Sequence, residues 1–153
     1  MQPQPAEILK QFVVYRGSSM HPLLRDGDIL RIAAYGRALP RRGDVILFFL
    51  PDEDHGIVHR VVAVRKEKVE TRGDNNRHTD LGWIKRENIV GRVVEAFSSD
   101  YAVTVHGGKK GLLIHYALRL FLFLKMALKP ILKQAGWLQK GRRVFRASLE
   151  VVR

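Results

Sequence analysis

Ser19 is the residue of this chain whose surroundings most suggest chemistry. It lies in Gly17-Ser18-Ser19-Met20-His21-Pro22, directly ahead of Leu23-Leu24-Arg25-Asp26-Gly27-Asp28 and an apolar run. A serine on a constrained turn at a strand edge presents its hydroxyl outward, with backbone N–H groups at hand for a substrate carbonyl oxygen. Serine is a weak nucleophile near neutral pH and needs a partner to take its proton. Histidine does this well. Of the six histidines, only His59 falls inside a clear strand pattern, Ile57-Val58-His59-Arg60-Val61-Val62. The strand period of two puts His59, Val61 and Ala63 on one face. Downstream, Asp74 in Gly73-Asp74-Asn75-Asn76 and Asp80 each offer a carboxylate that could hold the imidazole in a useful tautomer. The same residues also have an ordinary reading. Ser, Gly and Pro build turns, Asp and Asn bond their own backbone there, and a histidine on a strand is often a hydrogen-bonded core residue.

Between these segments lies Gly43-Asp44-Val45-Ile46-Leu47-Phe48-Phe49-Leu50, and after them Ile89-Val90-Gly91-Arg92-Val93-Val94. Ser-Met-x-Pro, then Gly-Asp with an apolar run and a base-bearing strand, then Gly-Asp-Asn resemble, in that order, the boxes of the signal peptidase I family (the S24/S26 serine proteases). The resemblance covers residues 12–97. It implies Ser19 as nucleophile and His59 as general base, where many bacterial members carry lysine; histidine is similar to the archaeal, sporulation-type and endoplasmic-reticulum branch. It implies Asp80 as the third member and leaves Asp74 to shape the turn. Gly17, Ser18 and Met20 would shape the oxyanion side. Members often carry a serine two residues before the nucleophile, whose hydroxyl helps bind the oxyanion; here Gly17 stands there. The hole then relies on the Ser19 N–H, with Ser18 beside it, and one missing donor costs roughly a hundredfold in rate. The resemblance further implies a precursor peptide or protein as substrate, small residues before the scissile bond, and neither metal nor cofactor.

Holding such groups together requires a sheet. Short Val- and Ile-rich runs over 12–16, 28–34, 44–50, 57–65, 69–72, 89–96 and 102–106, separated by Gly, Pro, Asp and Asn, predict antiparallel strands in a folded sheet or partial barrel. The expected fold is mainly β. A signal-peptidase-like antiparallel domain over 12–106 follows an N-terminal tail, 1–11. A basic amphipathic helical segment, 107–136, and a basic tail, 137–153, complete the chain. On a helix, His115, Arg119, Lys125, Lys129 and Lys133 share an arc of about 120°, and Pro130 predicts an interruption. Residues 111–124 hold about fourteen positions before Lys125, short of the roughly twenty that span a bilayer. The expected partner of 111–137 is therefore an anionic membrane surface. Packing against the β domain or a second copy, and a true span, are the alternatives.

The chain has 153 residues, 46% of them hydrophobic, enough for one packed domain and an appendage. It has no cysteine, which excludes disulfides and thiolate chemistry. The net charge of +12 calls for an anionic partner. No helix-turn-helix, finger or aromatic RNA-binding signature is present, so nucleic acid is not expected. Residues 1–10 lack an apolar h-region, so no cleavable export signal is expected there, nor does this start show the membrane anchor of the family. The basic groups Lys109-Lys110 and Lys140-Gly141-Arg142-Arg143-Val144-Phe145-Arg146 favour the cytoplasmic face of a membrane, or the cytoplasm if the helix packs on the domain. A LexA-like self-cleaving protein would need a lysine base and a DNA-binding domain. A metal hydrolase built on His55, His59, Asp74, His78 and Asp80 would lack a standard spacing such as His-Glu-x-x-His. A membrane-docked binding domain that keeps the fold without the activity is the alternative, with Gly17 as its best support.

Overall fold

The computed structural model describes residues 11–51 and 53–149. Eight strands form one antiparallel sheet: β1 (Gln11–Val14), β2 (Ile29–Ala33), β3 (Val45–Phe48), β4 (Ile57–Arg65), β5 (Lys68–Arg72), β6 (Ile84–Lys85), β7 (Ile89–Phe97) and β8 (Ala102–Thr104). Their spatial order is β1-β2-β7-β3-β4-β5-β6, with β8 also paired to β7. Register shifts between Arg31 and Ile32, between Leu47 and Phe48, and between Val61 and Ala63 bend the strands. The sheet accordingly curls into a half-barrel.

Every residue of β3 is buried, because the curled sheet covers both of its faces. Val45 and Leu47 join Tyr15, Met20, Leu24 and Leu30 in one core cluster, while Ile46 and Phe48 join Val61, Val69, Ile84 and Ile89 in another. A strand covered on both faces reads as an unbroken apolar run, as 45–48 does. β4 has the predicted bounds. The shift between Val61 and Ala63 means that the single face expected for His59, Val61 and Ala63 is interrupted after Val61. Asp28 and Asp44, expected inside strands, lie just before β2 and β3. Their carboxylates instead accept backbone N–H groups, from Arg25 at 2.8 Å and from Arg41 at 2.9 Å, the usual way such side chains end a turn. β6 was not anticipated; two residues carry no periodicity.

The chain divides into two compact units, Met1–Tyr116 and Ala117–Arg153. Among the described residues one α-helix, α1 (Gly108–Leu149), begins in the first unit and continues into the second. Its first N–H groups include that of Gly108, which donates to Asp44 Oδ1 at 2.9 Å, a favourable placement of negative charge at a helix start. Two expectations about this region need correction. The helix does not break at Pro130 or end at 136, since the good helix formers around the proline sustain it. His115 is not part of a solvent-facing basic stripe; it is fully buried within the first unit. Within the second unit, Leu120, Phe121, Phe123, Leu124, Met126 and Leu128 are all exposed. Gly108–Lys129 is long and apolar enough to cross a membrane, with a mean hydropathy of 1.6. That stretch is longer than the fourteen-residue count suggested, because single charges such as Arg119 and Lys125 inside an apolar run do not end it.

Candidate active site

Three separate elements bring Ser19, His59 and Asp80 together. Ser19 sits on the turn between β1 and β2. His59 lies near the start of β4, paired across the ladder with Ile46 and edge-on to Phe48, 6.5 Å between ring centres. Asp80 is returned to the sheet by the loop after β5, where its N–H donates to the Thr71 carbonyl at 2.9 Å. The resulting row is short. Ser19 Oγ lies 2.9 Å from His59 Nε2, and His59 Nδ1 lies 2.6 Å from Asp80 Oδ2. An ionised carboxylate only accepts, so Nδ1 donates to Asp80 and Nε2 is left to accept the Ser19 proton. Thr71 Oγ1 donates to the same Asp80 oxygen at 2.7 Å and fixes the carboxylate. The side chains of His59 and Asp80 keep 11% and 23% of their exposure, so the row is sheltered but not sealed.

The turn bearing Ser19 is held from both sides. The Asn75 N–H donates to the Ser19 carbonyl at 2.8 Å, and Asn75 Nδ2 to the Ser18 carbonyl at 3.3 Å. A Cβ on Gly73 would stand 2.6 Å from the Ser19 carbonyl oxygen, so glycine is required for this approach. Gly17 has φ +113° and donates its N–H to Asp26 Oδ1 at 2.8 Å. A side chain there would be strained, which accounts physically for the glycine. Ser18 is exposed and Met20 fully buried. Met20 therefore anchors the turn in the core, and its side chain is not a wall of an open substrate pocket. Beside Ser19 lies a groove of about 430 Å³, lined by Val14, Tyr15, Phe49, His55, Ile57 and Val58 among others. Val14 and Phe49 are about half exposed, and among the described residues β1 is an edge strand.

Asp74 does not touch His59. It is buried and accepts both Arg60 Nε and Arg60 Nη2 at 2.8 Å, while His115 Nδ1 lies 2.8 Å from its Oδ1. Burial alone would raise the Asp74 carboxyl. The hydrogen bonds from Arg60 and His115 outweigh it and hold the group below the ordinary carboxylate range. Arg60 also donates to the Gly43 carbonyl at 2.8 Å, and Arg72 Nη2 lies 3.0 Å from His115 Nε2. This cluster fixes the Gly73–Asn75 backbone that supports the Ser19 turn.

Five participants escaped the sequence reading: Tyr15, Arg60, Thr71, Arg72 and His115. The Tyr15 hydroxyl lies 3.2 Å from Ser19 Oγ and accepts the Met20 N–H at 3.0 Å. Arg60 had a legible signal, since a charged residue in mid-strand requires a buried partner of opposite sign. The others had none. Among the described residues, no three His, Cys, Asp or Glu side chains gather as a metal-binding group. His55 stands apart from the row and pairs with Glu53 at 3.1 Å.

The family profile described as signal peptidase, peptidase S26, matches residues 6–77. The human signal peptidase complex catalytic subunit SEC11C is 33% identical over 92 residues, covering 52% of this chain and 48% of that protein. The signal peptidase complex catalytic subunit SEC11 of Metarhizium robertsii is 34% identical over 107 residues, 61% of each chain. That of Verticillium alfalfae is 34% identical over 96 residues, 54% of this chain and 55% of its own. The chain thus spans about half the length of the curated relatives first matched. The matched stretch runs from the segment before β1 through the Gly73-Asp74-Asn75 turn and contains both Ser19 and His59. With its boxes in order on a curled antiparallel sheet, the chain is similar over residues 6–77 to the signal peptidases of family S26.

Proposed function

We propose that this protein is a serine endopeptidase that processes precursor proteins or peptides, with Ser19 as nucleophile, His59 as general base and then general acid, and Asp80 as the orienting carboxylate. The observation that carries the reading is the hydrogen-bonded row from Ser19 Oγ through His59 to Asp80, at 2.9 and 2.6 Å, with Ser19 lining a groove. In this reading Ser19 Oγ attacks the scissile carbonyl as its proton passes to His59 Nε2. Asp80 holds the ring and balances the imidazolium. The same proton then goes to the leaving amine, and water repeats the sequence to release the acyl group. An extended substrate would lie along β1, whose edge offers backbone donors and acceptors.

The relatives are named as catalytic subunits of a signal peptidase complex. Those names support removal of signal or leader segments as the reaction and further subunits as partners. We place the protein at a membrane through Gly108–Lys129, with its basic flanks favouring anionic headgroups on the cytoplasmic face. Nucleic acid has no role in this reading.

The test is cleavage of an Ala-x-Ala precursor-peptide library by the full chain in detergent or anionic vesicles, beside Ser19→Ala and His59→Ala. Activity that survives chelators and is lost in both folded variants supports the proposal. Wild-type protein that binds these peptides without cutting them would replace it with a binding domain on the peptidase fold, the reading that Gly17 favours.

A further inference from the structure

Tyr15 is buried, only 4% exposed, and its hydroxyl rests against the candidate nucleophile. The oxygen accepts the Met20 N–H at 3.0 Å and lies 3.2 Å from Ser19 Oγ. The direction of the second bond follows from counting protons. Ser19 has one to give, and it faces His59 Nε2 at 2.9 Å. The phenol proton of Tyr15 is therefore the one shared with Ser19 Oγ. Donors then align in a single chain, from the Met20 N–H to Tyr15, from Tyr15 to Ser19, from Ser19 to His59 and from His59 to Asp80. Such a chain polarises each member in the same sense.

A second observation concerns Gly17. Residue 17 has no side chain, and its φ of +113° disfavours one. A Cβ built there would lie 4.0 Å from the Tyr15 hydroxyl oxygen. The phenol thus brings an O–H to the side of Ser19 that residue 17 would otherwise face. The Ser19 N–H makes no hydrogen bond among the described residues, which leaves one backbone donor for a substrate oxygen.

We propose that the Tyr15 hydroxyl is a catalytic donor of this protein. It holds Ser19 Oγ at rest and shifts to the oxyanion once the tetrahedral intermediate forms. The inference rests on the reading of Ser19 as nucleophile. As the bond from Oγ to the carbonyl carbon forms, the C=O π pair moves onto oxygen and the Oγ proton moves to His59. The new anion is then held by the Ser19 N–H and the Tyr15 O–H. On collapse the pair re-forms C=O, the C–N bond breaks, and His59 returns the proton to the amine. Tyr15 donates throughout and is not consumed.

The experiment is Tyr15→Phe in the full chain, which keeps the ring and removes the one oxygen. Cleavage of an Ala-x-Ala reporter peptide is measured beside wild type and Ser19→Ala. The expected result is a kcat about 10²- to 10³-fold lower, as for loss of one oxyanion donor, with KM within about twofold. Affinity for a peptide aldehyde, which forms a tetrahedral adduct on serine, should fall by the same factor as kcat/KM. A purely structural tyrosine would lower the melting temperature and leave kcat in place; that result, or wild-type kcat in Tyr15→Phe, overturns the inference. Ser19→Ala separates the two levels. If it is dead while Tyr15→Phe is fully active, only the role of Tyr15 falls. If it cleaves as wild type, the nucleophile assignment falls and takes this one with it. Should Tyr15→Phe not fold, difluorotyrosine at position 15 keeps the shape and makes the phenol more acidic. A change in kcat supports the role, and a flat response overturns it.

Discussion

The protein contains two histidine–aspartate pairs of nearly the same geometry and different character. His59 meets Asp80 through Nδ1 at 2.6 Å, and His115 meets Asp74 through Nδ1 at 2.8 Å. The difference lies on the far nitrogen. His59 Nε2 faces a serine hydroxyl, whose proton can move. His115 Nε2 faces Arg72, a guanidinium that keeps its protons. Burial separates the pairs further. The His59–Asp80 pair leads to Ser19, which lines a groove, whereas His115 and Asp74 are sealed from solvent and Arg60 adds two bonds to the carboxylate. A carboxylate–imidazole contact is therefore not a catalytic signature by itself. What the second nitrogen meets, and whether a substrate can reach it, decides between chemistry and structure.

This contrast can be broken most severely at the first pair. Ser19→Ala and His59→Ala should each lower kcat/KM by about 10⁴- to 10⁶-fold while the denaturation midpoint stays within error, read by peptide cleavage and urea titration. Asp80→Asn keeps the shape but disturbs the tautomer, and a loss of about 10³- to 10⁴-fold in kcat is expected with KM little changed. At the second pair the effect should appear as stability. Arg60→Met leaves the Asp74 charge buried with His115 as its remaining hydrogen-bond partner, at an expected cost of about 3–5 kcal/mol in the same titration. Unchanged stability there would mean that the buried cluster is not what holds the loop.

The smallest effect concerns pH. Asp74 is held below the ordinary carboxylate range in the folded protein, so it binds its proton more weakly there than in the unfolded chain. Its contribution to stability is present in full above the ordinary carboxylate value of about 4. It is lost as pH falls through the lowered folded value. Urea midpoints taken from neutral pH down into the acid range should drop for wild type, and part of that drop should vanish in Asp74→Asn. Equal slopes for the two proteins would remove Asp74 from the account.

Much of this molecule was legible before folding. The run at 57–65 and the turn residues around it delimit β4, because alternation and Gly/Pro punctuation are local properties. The continuous apolar run at 45–48 already marks a strand covered on both faces. His115 shows the limit of such reading. Helical periodicity placed it on a charged arc, yet the start of α1 belongs to the β unit, where Asp74 and Arg72 wait for an imidazole. Pro130 shows another limit, since a local breaker was overridden by its helix-forming neighbours.

The sequence by itself determined the residue types, the order of the boxes and the β-then-helix architecture, because composition, periodicity and turn chemistry act over a few residues. Only the tertiary structure decided which aspartate meets His59, that Tyr15 reaches Ser19, and that Arg60 and His115 share Asp74. Those choices depend on the path of the loop after β5 and on bulges that shift the register. The pairing of groups 21 to 41 positions apart is set when the sheet curls, and no local pattern encodes it.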